Sequence, residues 1–266
     1  MKIAKQLILL IGLFMAVSCN KDTHHFHTSR EANILVCGGA MMNGNHFADS
    51  VIPAMSEHYA GRQHVALVLH ANHPPDRDKK ERRLKEAFAH IGVAKASSLH
   101  HLDNDGAIAL LREADSIFID GGDTFALLRD LRGMGQLEVI RERALAGVPV
   151  GGSSAGANVL GPVIGTTNDF PVNDLVTRNS LYLFPALINP HHPKPDDVQG
   201  YASREWKINN YRRWNPEDIV LGLGDRAIAV LRGGEVTLPL GPAWLYAADE
   251  SRALETGDRI PELDSE

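Results

Sequence analysis

The residues most able to do chemistry are Gly152-Ser153-Ser154-Ala155-Gly156, which have the Gly-x-Ser-x-Gly spacing. The short apolar run 148–150 precedes them, and 155–160 can open a helix. A serine on a sharp strand-to-helix turn has its hydroxyl held clear at the strand's carboxyl end. The next residue's N–H, here that of Ala155, is offered to a developing oxyanion. The spacing selects Ser154 over Ser153. A serine also needs a base, usually histidine, and a third group to orient that base. Two downstream segments offer them. Thr166-Thr167-Asn168-Asp169-Phe170-Pro171 supplies a carboxylate, and Ile188-Asn189-Pro190-His191-His192 supplies two imidazoles at the end of an apolar run, 181–188, that reads as a strand. The order is then Ser, Asp, His, with His191 or its neighbour His192 as the base.

Such side chains need a scaffold, and the flanking pattern describes one. Short apolar runs at 34–37, 64–69, 116–119 and 148–150 read as buried strands, and 95–102 reads as a further strand. Between them, 45–60, 76–91, 105–113 and 124–146 carry helical spacing, the last broken near Gly133 and Gly135. Unbroken apolar strands alternating with helices predict an α/β fold, a mostly parallel sheet covered by helices on both faces. Runs at 219–223, 227–231 and 235–238 lie around glycine turns and predict a small antiparallel extension. Adjacent His100 and His101 on a strand would face opposite sides, which argues for structural roles rather than a metal pair. No metal or organic cofactor is expected.

The chain has 266 residues, 44% hydrophobic and 23% charged, which excludes a disordered chain and a multi-span membrane protein. A formal charge of −6 gives no sign of a nucleic-acid partner. Lys2 and Lys5 followed by the apolar stretch 7–17 read as a signal peptide, 1–18, and Ala16-Val17-Ser18-Cys19 looks like a bacterial lipobox. Cys19 would then carry lipid and anchor the protein to a bilayer in the cell envelope, periplasmic or at the outer membrane. The polar stretch 19–33, with His24, His25 and His27, reads as a tether. A single folded domain over 33–248 and a tail over 249–266 complete the expected organisation.

Several motifs in order carry a more specific resemblance. Gly-Ser-Ser-Ala-Gly-Ala-Asn (152–158), Thr-Thr-Asn-Asp-Phe-Pro (166–171), Leu-Phe-Pro-Ala-Leu-Ile-Asn-Pro-His (183–191) and Gly121-Gly122-Asp123-Thr124-Phe125 resemble the peptidase E and cyanophycinase family of serine peptidases. The resemblance implies a fold like class I glutamine amidotransferases. It implies Ser154 as nucleophile, His191 as base, Asp169 as orienting acid, and an oxyanion hole from the N–H groups of Gly122 and Ala155. The substrate implied is a small peptide, in particular a dipeptide beginning with aspartate, whose carboxylate Arg204 would bind. Asp123 is the cue for the alternative, a cyanophycinase-like hydrolase of β-aspartyl linkages. A non-catalytic envelope lipoprotein that retains the fold is the other alternative.

Overall fold

The computed structural model describes residues 29–248 and 250–264. The stretch 1–18 expected to be a signal peptide, Cys19, and His24, His25 and His27 of the expected tether lie outside the described residues.

The first half runs β1 (Asn33–Cys37), β2 (Met42–Asn43), β3 (His46–Phe47), α1 (Ile52–His58), β4 (His64–Val68), α2 (Arg77–His90), β5 (Lys95–Ser98), α3 (Asn104–Glu113), β6 (Ser116–Ile119), α4 (Thr124–Gly133), α5 (Gln136–Leu145), β7 (Val150–Ser153) and α6 (Ala155–Leu160). The second half runs β8 (Leu187–Asn189), α7 (Val198–Trp214), β9 (Val220–Leu223), β10 (Ile228–Arg232), β11 (Glu235–Leu240), β12 (Ala243–Ala247) and β13 (Glu250–Leu254).

Seven strands form the main sheet in the order β11-β10-β1-β7-β6-β4-β5. The five from β1 to β5 are mutually parallel, and β10 and β11 add an antiparallel edge beside β1. Pleating sorts the strand residues between two cores. Ile34, Val36, Ala66, Val68, Ile117 and Ile119 face α3 to α6. Leu35, Cys37, Val65, Leu67 and Phe118 face α1 and α2. There Phe88 of α2 packs edge-on against Phe47, Tyr59 and Phe118, with centroids 5.1–5.4 Å apart. The fold is the expected α/β layering.

A second sheet, β13-β12-β9-β8, carries the rest. Its β8 and β9 are parallel neighbours, with Asn189 opposite Gly222. The α7 helix lies against it through Ile208, packed with Leu187, Val220, Trp244 and Tyr246. Thus the late strands serve two sheets rather than one extension.

Several local expectations shift. The stripe at 45–60 is split between the β2–β3 hairpin and a shorter α1 that begins at Ile52-Pro53, where proline suits the first turn. The strand at 95–102 ends at Ser98 and turns into a one-turn 3-10 helix, Leu99–His101. The run 181–188 is strand only at Leu187–Asn189. The segment read as a tail is built into the domain: β13 pairs with β12, and Ile260 and Leu263 are buried. The break at Gly133 and Gly135 stands where it was expected, Gly135 taking φ +67 between α4 and α5. Among the described residues, no helix is long and apolar enough to cross a membrane.

Candidate active site

Ser154 sits between β7 and α6 with φ 54 and ψ −113. A non-glycine residue rarely adopts this conformation, and holding it there costs on the order of 1–3 kcal/mol. Two glycines make the turn possible. A methyl on Gly152 would meet the Gly156 backbone, and one on Gly156 would meet the Ile119 carbonyl. The strand and helix can approach this closely only where both side chains are absent. The strain aims the hydroxyl outward, and Ser154 Oγ lies 2.9 Å from His191 Nε2. The other ring nitrogen, Nδ1, donates to Asp225 Oδ1 at 2.5 Å. That bond fixes the tautomer and leaves the Nε2 lone pair facing the serine.

One segment ties the three stretches together through the backbone. At the end of β1 and just beyond it, the Cys37 carbonyl accepts from Ser154 N–H (3.0 Å), the Gly38 carbonyl from His191 N–H (2.9 Å) and the Gly39 carbonyl from N–H of Arg226, the residue after Asp225 (2.8 Å). Gly39 has φ +123, and a side chain there would run into the His191 ring. His191 and Arg226 also take positive φ, 52 and 66. The strained residues therefore gather where the chain must present functional groups. Cys37 is no competing nucleophile, since burial pushes its thiol up to about 11.

Asp169 is not brought to His191. Its carboxylate accepts from Thr124 N–H at 2.8 Å and from Thr124 Oγ1 at 2.5 Å, at the start of α4. Asp123 caps the same helix by accepting from Ala126 N–H at 2.7 Å. Two carboxylates thus neutralise the helix N-terminus, where unpaired N–H groups and the dipole favour negative charge. The position beside His191 expected of Asp169 is taken by Asp225, which the sequence reading passed over. The signal was there: Asp225 directly follows an apolar strand and a glycine, the placement that had singled out His191.

His192 is separated from the serine by burial. Its ring stacks on Trp244 at 4.3 Å, Nδ1 donates to the Pro193 carbonyl (2.9 Å), and Nε2 accepts from Tyr246 OH (2.8 Å). Desolvation holds it neutral, down to about 4.

The glycine loop after β6 crosses over the serine. A methyl on Gly121 would stand 2.9 Å from Ser154 Cβ and 3.5 Å from Oγ. Gly122 follows with φ +146, its position fixed by Ala71, whose carbonyl accepts from Asp123 N–H at 2.9 Å. Ala155 is the first residue of α6, so its N–H belongs to the set that a helix leaves unpaired. Arg204 reaches in from α7, its Nη1 donating to Asn189 Oδ1 (2.6 Å) and to the Pro190 carbonyl (3.0 Å), one residue from His191.

A serine hydroxyl, an imidazole and a carboxylate in one hydrogen-bonded line can carry out acyl transfer by nucleophilic attack. The profile of peptidase family S51 matches residues 34–239. The chain belongs to peptidase family S51. This S51 member is a serine peptidase. It is 30% identical to peptidase E of Salmonella newport (strain SL254) and to that of Salmonella typhimurium, over 85% of this chain and 99% of each relative. The fold is shared with the crystal structure of a peptidase from an acI-B1 Actinobacterium (TM-score 0.65, 16% identity, 86% of this chain and 96% of that one). It is also shared with a protein from Listeria monocytogenes EGD-e (TM-score 0.61, 21% identity, 84% and 99%).

Proposed function

We propose that this S51 peptidase hydrolyses short peptides that begin with aspartate, with Ser154 as nucleophile, His191 as base and Asp225 as orienting acid. The observation that carries the reading is the Ser154–His191–Asp225 line, 2.9 and 2.5 Å per link. Ser154 Oγ attacks the scissile carbonyl carbon while His191 Nε2 takes the hydroxyl proton. His191 then gives that proton to the leaving amine as the C–N bond breaks, leaving an ester on Ser154. A water molecule, deprotonated by His191, hydrolyses the ester and restores the serine. Asp225 stabilises the imidazolium that forms in both halves. The N–H groups of Gly122 and Ala155 receive the oxyanion, and losing one such donor commonly costs about 10²–10³ in rate.

Arg204 supports the aspartyl preference. Nη1 is committed to Asn189 and Pro190, whereas Nε and Nη2 have no hydrogen-bond partner among the described residues. A guanidinium pinned on one side presents its remaining donors to a carboxylate bidentately. Asp123 spends one carboxylate oxygen on its helix cap, which leaves the other for the substrate's α-ammonium group.

The test is a dipeptide panel of Asp-X, isoAsp-X and neutral N-termini on wild type, Ser154→Ala and Arg204→Gln. Asp-X should be cut fastest, Ser154→Ala should be inactive, and Arg204→Gln should raise KM for Asp-X more than for neutral peptides. Equal rates on neutral peptides would overturn the substrate assignment, and an active Ser154→Ala would overturn the mechanism. The lipobox supports lipidation at Cys19 and an envelope location. Cys19→Ser should then release the protein from membranes, and unchanged association would remove the anchor.

A further inference from the structure

Away from the serine, β5 ends in the turn that the sequence had suggested would continue as strand. In the 3-10 turn Leu99–His101, consecutive side chains no longer alternate between opposite sides, and the rings of His100 and His101 lie together, centroids 3.8 Å apart. Both face α2, where Asp78 and Glu81 stand three residues apart and so share a face. His100 Nε2 is 2.9 Å from Asp78 Oδ1, and His101 Nε2 is 2.6 Å from Glu81 Oε2 and 3.8 Å from Asp78 Oδ1. One atom from each of the four residues lies within 4.8 Å of the others.

The geometry points to a divalent transition-metal site, zinc in class, held by His100 Nε2, His101 Nε2, Asp78 and Glu81. Tetrahedral zinc with bonds of about 2.0–2.1 Å sets its ligands about 3.3 Å apart. The imidazole–carboxylate separations of 2.6, 2.9 and 3.8 Å straddle that spacing. The surrounding bonds leave the inner atoms available. Ser98 Oγ lies 2.6 Å from His100 Nδ1, which directs the Nε2 lone pair inward. Glu81 Oε1 is occupied by Ser98 N–H (3.3 Å) and Lys85 Nζ (2.9 Å), leaving Oε2 for the ion. Such outer partners are what orient a ligand set. Without an ion, each imidazole–carboxylate contact is made through an Nε2–H. A bound cation takes the Nε2 lone pair and leaves the ring proton on Nδ1, which in His100 faces Ser98 Oγ. Two imidazoles with two carboxylates select zinc and its neighbours over magnesium or calcium, which take all-oxygen sites.

The ion would staple the start of α2 to the edge strand of the main sheet. From that end of α2, Lys80 reaches Asp120 at 3.4 Å, just before the glycine loop over Ser154. The role is structural and shares no side chain with the Ser154 line.

The test titrates Zn²⁺ into the full chain carrying Ala at His24, His25 and His27, against a chromogenic chelator at pH 7.5. One zinc per chain and a raised Tm are expected, with no response to Mg²⁺ or Ca²⁺. Asp78→Asn and His101→Ala alter exposed side chains that the fold does not need. Each should weaken binding by at least about 100-fold, at or beyond the upper end of what losing an outer-sphere partner costs. Absence of stoichiometric binding, or binding that survives both substitutions together, would show only solvated ion pairs and overturn the site.

Discussion

The molecule holds two clusters of imidazole and carboxylate, and they differ in how the ring nitrogens point. At His191 one ring is strung between two partners, Nδ1 to Asp225 and Nε2 to Ser154, so a proton can be taken on one side while the other side holds the ring. At the sheet edge two rings turn their Nε2 atoms to a common centre with Asp78 and Glu81, while Ser98 and Lys85 hold the outside. The first arrangement is suited to moving a proton and the second to holding an ion. The same residue types serve both because backbone geometry, rather than side-chain chemistry, sets whether donor atoms line up or converge. The relay sits on strained backbone at strand ends, and the cage sits on a 3-10 turn facing one side of a helix.

Replacing the relay's members should have the largest effects. His191→Ala is expected to lower kcat by about 10⁴-fold or more, as for serine hydrolases that lose their base. Steady-state kinetics on an Asp-X substrate measures it, and a loss under tenfold would dissolve the distinction between relay and ordinary ion pair.

The two carboxylates near the site should separate next. Asp225→Asn is expected to cost about 10³–10⁴ in kcat by misdirecting the imidazole. Asp169→Ala should instead remove a helix cap, worth about 1 kcal/mol of stability, seen as a Tm lower by a few degrees with a far smaller kinetic loss. The reverse ranking would return the orienting role to Asp169.

Two buried imidazoles outside both clusters sharpen the contrast through pH. Burial lowers His192 to about 4 and, with the Arg232 charge as a further cause, His58 to about 3, against an ordinary 6.5. Between those values the unfolded chain takes up protons that the folded chain refuses. Stability present above pH 6.5 is therefore lost progressively as pH falls toward 4. Urea midpoints across this window should show the slope, and His192→Gln should reduce it by about half, the His58 part remaining.

The smallest effect is expected from metal removal. Chelation should lower the Tm of zinc-loaded protein yet change kcat by less than about threefold, because the relay uses no metal-activated water of the kind a catalytic zinc site supplies. A large kinetic loss on chelation would join the two clusters into one machine.

Much of this was legible in the chain itself. The Gly-x-Ser-x-Gly elbow is local: a strand, two glycines and a serine suffice to dictate it, and Ser154 stands where the motif put it. His191 was legible for the same reason, as a histidine just beyond a strand. The break at Gly133–Gly135 and the parallel α/β class also follow from short-range pattern, since glycine punctuation and apolar runs act within a few residues.

Asp225 and the sheet-edge cage depend on tertiary structure. Asp225 reaches His191 because β8 and β9 lie side by side in parallel, which brings their carboxyl ends together across intervening chain that includes the whole of α7. The motif nearest Ser154 offered Asp169 instead, whose carboxylate is claimed by the start of α4. The cage hangs on where a strand stops. Continuing β5 to residue 102 would send His100 and His101 to opposite faces, whereas ending it at Ser98 sends both to α2. Sequence pattern determined the scaffold and the placement of Ser154 because they arise from local pattern. Pairing between distant strands and the exact end of one strand decided which carboxylates meet which imidazoles, because those contacts exist only once the sheets have assembled.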